Sequence, residues 1–174
     1  METLAKTKWV IDPVHSEVTF KVKHMMISTV TGQFGSFTGE VETESENFED
    51  ASVNVTIDVD SISTKNADRD AHLKSDDFFN AEKHPAITFK SVKFDGASLV
   101  GDLTIRDITK RISLDVEYNG TAVDPYGQTK AGFELTGEIN RKDYNLKWNA
   151  VTEAGSVVVS DTVKLVIAAQ FVKQ

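Results

Sequence analysis

The chain has 174 residues, 40% hydrophobic and 26% charged, which fits a globular protein with one sizeable core. It has no cysteine, which excludes disulfides, thiol catalysis and cysteine-rich metal sites, and no run approaches the roughly 20 apolar residues of a membrane-spanning helix. The formal charge is −8, and the stretch 40–60 carries Glu40, Glu42, Glu44, Glu46, Glu49, Asp50, Asp58 and Asp60 without a single base, a solvated acidic surface that argues against nucleic acid as a partner.

The first eight residues lack an apolar run, so no secretory signal is read; the expectation is a cytoplasmic protein, or a periplasmic one if a leader has been removed. Trp9-Val10-Ile11 reads as a short strand closed by Asp12-Pro13. From Val18 to His24 the chain alternates strictly: Val18, Phe20, Val22 and His24 share one face, and Thr19, Lys21 and Lys23 share the other. Met25-Met26-Ile27-Ser28 interrupts the pattern and predicts a bend. Gly32, Gly35 and Gly39 punctuate the next stretch, as expected of a strongly curled sheet. Ala51–Val59 alternates again, with Ala51, Val53, Val55, Ile57 and Val59 inward.

Residues 61–79 do not alternate. Asn66 is placed to cap a helix, and Ser75 followed by Asp76 and Asp77 reads as a second helix start, so a helical insertion is expected over about residues 66–80. Its Leu73, Phe78 and Phe79 are available to plug an apolar opening. Extended structure resumes after His84-Pro85. Asp95-Gly96 marks a hairpin and Asp124-Pro125-Tyr126-Gly127 a type I turn. Inward rows follow in Leu99/Leu103/Ile105, Ile112/Leu114/Val116 and Ala131/Phe133/Leu135/Ile139. Arg141–Asn145 reads as a polar loop. Val157–Val159 and Val163–Val172 close the chain as a long strand bent at Ser160-Asp161. About eight or nine strands at hairpin spacing, with no linker or repeat, predict one all-β antiparallel domain over residues 1–174, a barrel or a sandwich, with the barrel favoured by the long glycine-interrupted strands.

These residues resemble the YceI-like family, described as polyisoprenoid-binding proteins with a lipocalin-like barrel. The resemblance is carried by Ile11-Asp12-Pro13 with His15-Ser16, Phe20–His24, Gly32-Gln33-Phe34, Ser61–Thr64, Asp70–Ser75, Asp77-Phe78-Phe79, Pro85–Ser91, Gly101–Arg106, Thr109-Lys110, Asn140–Asp143 and Ser160-Asp161. It runs from about Trp9 to the C-terminus. Three positions depart from the family pattern: Asp107 and Asn145 stand where glycine is usual, and Arg111 where proline is. The resemblance implies a lipocalin-like barrel of about eight strands holding a polyisoprenoid, such as a polyprenyl phosphate or quinone, or a fatty-acid-like molecule, with its head near an opening. No cofactor other than such a bound lipid is expected.

Candidate wall residues for that lipid are Phe20, Val22, Phe34, Val55, Phe89, Leu103, Leu114 and Phe133, and the candidate polar contacts are His24, His72 and Arg106. Arg69, Lys110 and Arg141 are further cations that an anionic head would seek. Asp70 and His72, with His15 or His24, form half of a metal pattern, but no spacing completes it, and an Asp70–His72 hydrogen bond is the ordinary reading. No nucleophile elbow, phosphate loop or dinucleotide motif occurs, and His15 and Ser16, adjacent on a strand, point to opposite faces. The expectation is a lipid-binding barrel that is not an enzyme and has no stable membrane insertion. Two alternatives stay open: a small hydrolase or isomerase working on an apolar substrate in the same cavity, and a structural barrel with a filled interior. Edge strands near the two termini are consistent with a homodimer.

Overall fold

The computed structural model describes residues 6–44, 48–149 and 158–174. Among these residues eleven strands and one α-helix follow in order: β1 (Thr7–Ile11), β2 (Glu17–His24), β3 (Ser28–Phe34), β4 (Phe37–Thr43), β5 (Ser52–Asp58), β6 (Ile62–Ser63), α1 (Ala67–Lys74), β7 (Ala86–Phe94), β8 (Ser98–Ile105), β9 (Ile108–Val123), β10 (Thr129–Asn140) and β11 (Val159–Lys173). Every pairing is antiparallel. β1 and β2 behave as the two halves of one bent strand, and β3 and β4 as the two halves of its partner: β2 pairs with β3, and β1 with β4. The ring then runs through β5, β7, β8, β9, β10 and β11 back to the first strand, a closed eight-stranded barrel whose neighbours in space are neighbours in sequence. The short β6 adds to the edge of β3.

Closure occurs along one edge of β11. Its first part pairs with β2, Val163 opposite Val22 through Ala168 opposite Glu17. Its last part pairs with β1, Phe171 opposite Ile11 through Lys173 opposite Trp9. Gln170 lies between the two, where the chain bends at Asp12–Ser16. Its backbone groups are not orphaned, because the Asp12 amide donates to the Gln170 carbonyl at 2.7 Å and the Gln170 amide donates to the Ser16 hydroxyl at 2.9 Å. A side-chain oxygen thus replaces the carbonyl that a straight strand would have offered. The strands near the termini that prompted the dimer expectation pair with one another, which removes its physical ground.

A charged rivet fixes the same bend. The Lys130 ammonium lies 3.0 Å from Asp12 Oδ2 and 3.6 Å from Asp124 Oδ2, and the His15 imidazole meets Asp12 at 2.8 Å. Asp124 also accepts the Tyr126 and Gln128 amides of the β9–β10 turn, so the rivet joins that turn to the β1–β2 bend. The hydrogen bond from His15, then those from Lys130 and the Val14 amide, outweigh burial and hold the Asp12 carboxyl at about 2, below the usual 3.8.

Curvature depends on glycines under aromatic rings. A side chain at Gly32 would meet the Phe20 ring at 2.2 Å, and one at Gly101 would meet the Phe89 ring at 2.3 Å and the Lys90 carbonyl at 2.8 Å. Some of the strands are joined by very short turns. Arg106 and Asp107, both left-handed (φ 53° and 62°), make the β8–β9 turn, and Met25 and Met26 (φ 50° and 59°) begin the β2–β3 turn.

The insertion differs from expectation at its second half. Asn66 caps α1 as read, its side chain accepting the Arg69 amide. Ser75 does not start another helix; it ends this one, donating from its amide and its hydroxyl to the His72 carbonyl, and residues 76–83 continue as turns. The polar loop after β10 is also more ordered than read: Arg141–Tyr144 form a 3-10 turn capped by Asn140, with Arg141 and Tyr144 buried. Val157 falls outside the described residues.

Two outcomes follow for stability. Ser16→Ala leaves the part-buried Gln170 amide without its acceptor and should cost about 1–3 kcal/mol in urea unfolding; a change below about 0.5 kcal/mol would mean that the ladder at the bend closes without the hydroxyl. Because the folded carboxyl of Asp12 sits at about 2 against an unfolded 3.8, its contribution is present above pH 3.8 and is lost as the pH falls toward 2. Asp12→Asn should therefore be less stable than the parent at neutral pH, with the difference shrinking across that interval; a constant difference down to pH 2 would contradict the assignment.

Candidate functional site

The inward rows of the eight strands enclose a cavity of about 220 Å³. Phe20 and Val22 reach it from β2, Phe34 from β3, Val55 from β5, Phe89 from β7, Leu103 from β8, Leu114 from β9 and Phe133 from β10. All eight residues predicted as wall line it, because the strand period of two fixes the facing of each from sequence alone. Ile57, Ile112, Leu135, Leu165 and Ile167 continue the same surface.

Aromatic and aliphatic groups close the two ends. Phe48, left-handed at φ 63°, sits 5.1 Å from the Trp9 ring, 5.6 Å from Tyr118 and edge-on to Phe133 at 5.2 Å. At the other end the insertion lies across the opening and contributes Leu73, Phe78 and Phe79 to the wall, the plug expected from the sequence, with Leu146 beside them. The Phe79 ring meets Phe34 edge-on at 6.1 Å.

Three sets of polar contacts hold that cover in place. Asp70 accepts the Thr64 amide at 2.8 Å and its hydroxyl at 2.6 Å, while Arg69 donates to the Thr64 hydroxyl and carbonyl, each at 2.7 Å. The His72 imidazole bonds to Asp77 at 2.8 Å and stands edge-on to both Phe78 and Trp148. Arg106 donates to the carbonyls of Asp76, Phe78 and Asn145 and to the Asp76 carboxylate, tying the insertion to the β8–β9 turn and to the loop after β10. His84 and Asp107 lie 3.2 Å apart nearby.

Of the polar residues selected from sequence, Arg141 alone reaches the cavity wall. His72 and Arg106 fasten the cover from outside, His24 ends β2 opposite Ser28, and none of the three is in the wall. Arg69 is committed to Thr64, and Lys110 is exposed on β9. His72 bonds to Asp77 rather than to the Asp70 expected, and among the described residues no three His, Asp or Glu side chains gather as metal ligands. His15 bonds to Asp12 and Ser16 to the Gln170 backbone, so they do not form a nucleophile–base pair.

The wall's one ionisable side chain among the described residues is Arg141. It is 3% exposed. Its guanidinium donates to four carbonyls, those of Leu146, Trp148, Val159 and Ser160, and faces the Asp161 carboxylate at 3.9 Å. Burial lowers its proton affinity and Asp161 partly restores it. The neighbouring Tyr144 hydroxyl is buried without a protein partner, and burial, then the charge of Asp143, pushes it up to about 12. The signal for Arg141 was in the sequence. It is the next position in the inward row Leu135, Gly137, Ile139, and only its charge suggested that the row had ended.

Residues 9–171 match the model of the YceI-like domain. The UPF0312 protein SERP2314 of Staphylococcus epidermidis is 39% identical over 166 residues, 95% of this chain and 97% of that one. UPF0312 protein SAS2572 of Staphylococcus aureus gives the same figures. Among solved structures, Campylobacter jejuni YCEI protein is 33% identical with a TM-score of 0.72, covering 87% of this chain and 90% of its own. Burkholderia cenocepacia BcnA, at 21% identity, has a TM-score of 0.78 over 92% of this chain and 98% of its own. A polyisoprenoid binding domain from Saccharophagus degradans, at 16% identity, has a TM-score of 0.70 over 99% and 100%. The last two bear on the fold alone.

Arg141→Met should lower stability by about 2–4 kcal/mol in urea unfolding, since four carbonyls lose a charged donor at once. A loss below about 1 kcal/mol would show that the guanidinium does not organise the loop after β10.

Proposed function

The chain belongs to the YceI-like family, and we propose that its barrel binds and carries a long-chain amphiphilic lipid of the polyisoprenoid or fatty-acyl kind. The observation that carries this reading is the continuous apolar wall, drawn from every strand of a closed barrel, around a cavity of about 220 Å³. A prenyl or acyl tail gains roughly 0.8 kcal/mol for each methylene taken from water, and the wall asks for no hydrogen bonds in return. The solved domain from Saccharophagus degradans is described as polyisoprenoid binding, which agrees with this chemistry.

The tail runs along the barrel and the polar head lies at the end covered by the insertion, where Arg141 supplies the wall's cation. Its donors are largely committed to carbonyls, so it acts on an anionic or dipolar head mainly through its field. A hydrolase or isomerase in the same cavity would need an acid or base at the wall. Arg141, protonated at neutral pH, supplies neither.

Filling the cavity tests the reading without opening the core. Val55→Trp and Ile112→Trp each place an indole where the wall faces open space. Native mass spectra taken after incubation with polyprenyl phosphate in detergent should show a one-to-one complex for the parent chain. The variants should show little complex, with circular dichroism and melting close to the parent. Equal uptake by parent and both variants would overturn it.

A further inference from the structure

We propose that the β2–β3 hairpin tip is a docking surface for a lipid bilayer carrying anionic headgroups. Two costs are concentrated at this tip without an internal return. Met26 is 61% exposed and Ile27 79%, adjacent large apolar side chains in water. Met25 and Met26 both hold left-handed backbone, which side chains with a Cβ adopt at a cost. The three-residue turn closes with Ile27 donating to the His24 carbonyl, so the hydrogen bonding is satisfied while the apolar side chains project outward.

The charge beneath the tip is opposite in sign to that of the whole chain. Lys21 and Lys23 stand on the outer face of β2, and Lys164 of β11 is the register partner of Lys21. Two cations directly opposite in a ladder repel, and a negatively charged surface laid across them relieves that repulsion. Lys142 and Lys147 stand on the adjoining loop. Among the described residues the acids nearest these lysines include Glu138 beside Lys164, Asp161 bridged to Lys142 at 3.2 Å, Asp143, and Glu17 at the far end of β2, while Asp76, Asp77 and Asp107 of the cover are paired with Arg106, His72 and His84. Between Val18 and Phe34 there is no acid at all, whereas the chain as a whole carries −8 and concentrates acids in 40–60. Lys21, Lys23, Met26, Thr29 and Lys164 also border a shallow surface groove beside the tip. An apolar tip that enters the acyl boundary, above a collar of lysines that meets phosphates, is the pattern of an interfacial anchor.

The β9–β10 turn supplies an internal comparison. Val123 is 68% exposed and Tyr126 90%, but the adjacent lysine, Lys130, is spent on Asp12 and Asp124. That turn has apolar side chains whose adjacent lysine is already paired, and it stands at the barrel end opposite the hairpin tip. The tip shares its end with the insertion and Arg141, so a docked barrel would present its covered opening toward the bilayer. This part of the inference rests on the lipid-binding reading; the docking itself does not.

Flotation with vesicles of equal parts phosphatidylcholine and phosphatidylglycerol, and with phosphatidylcholine alone, reads docking directly. The expected result is binding to the mixed vesicles that weakens as salt is raised. The Met26→Ser/Ile27→Ser pair and the Lys21→Glu/Lys23→Glu pair should each weaken it about tenfold or more. Tyr126→Ser should leave it unchanged. Uptake of polyprenyl phosphate from detergent, measured beside it, should be the same in all these variants, while transfer out of mixed vesicles should slow in both hairpin pairs. Absence of flotation by the parent chain, flotation indifferent to both hairpin pairs, or equal loss in Tyr126→Ser would overturn the proposal. Failure of detergent uptake with flotation intact would instead overturn the lipid-carrying reading and leave the docking surface standing.

Discussion

The structure depends on the continuity of the hydrogen-bond ladder at Gln170. An open eight-stranded sheet has two edges, and a barrel has none only if the last strand meets the first along its whole length. Here the first strand is bent in the middle, so β11 must pass from β2 to β1 without leaving a polar gap in a wall that is apolar on its inner side. Asp12 supplies the missing donor and Ser16 the missing acceptor. The Lys130 rivet then fixes the bend to the β9–β10 turn. One backbone amide and one serine hydroxyl therefore complete the ladder that closes the interior.

Once the ring is closed, the rest follows from period two. Each strand places alternate side chains inward, and those side chains are branched aliphatics or phenylalanines along nearly the whole chain. Glycine at Gly32 and Gly101 lets the Phe20 and Phe89 rings approach the neighbouring strand's backbone where a Cβ would collide. Polar chemistry is pushed to the ends and the outside. His72 and Arg106 fasten the insertion rather than face the interior, so the cover is held by bonds to the Asp77 carboxylate and to backbone carbonyls while the wall stays apolar. Division of labour between an apolar interior and a polar fastening at the rim is what an amphiphile carrier requires.

How much of this was legible in the sequence depends on how local the cause is. The wall was legible residue by residue, since the facing of Phe20, Val55, Phe89 and Leu114 depends only on strand parity. The cap at Asn66 and the turns at Asp95-Gly96 and Asp124–Gly127 were legible because a single side chain or glycine makes them. The role of Ser75 was not, because the same serine hydroxyl serves to begin a helix or to end one, and the choice is made by tertiary contacts of the insertion. Nor were the partners of His72 and Arg106, which come from segments 5 residues away in one case and 28 to 39 in the other. Arg141 was legible as a cation that an anionic head would seek, but not as part of the wall, because its charge interrupts the apolar row. In this barrel the alternation continued one residue into the wall, and four carbonyls made the buried cation tolerable.

The central claim is that the barrel is a container for a long-chain amphiphile. The most direct measurement is mass spectrometry of the protein as purified from cells, in native spectra and then in an organic extract of the same sample. The account predicts a near-stoichiometric adduct in the native spectra, and in the extract a long apolar chain with a small polar head. A chain that is bare in the native spectra, yields no such molecule on extraction and takes up no polyprenyl lipid offered in detergent would contradict it, and would make the barrel a filled scaffold rather than a carrier.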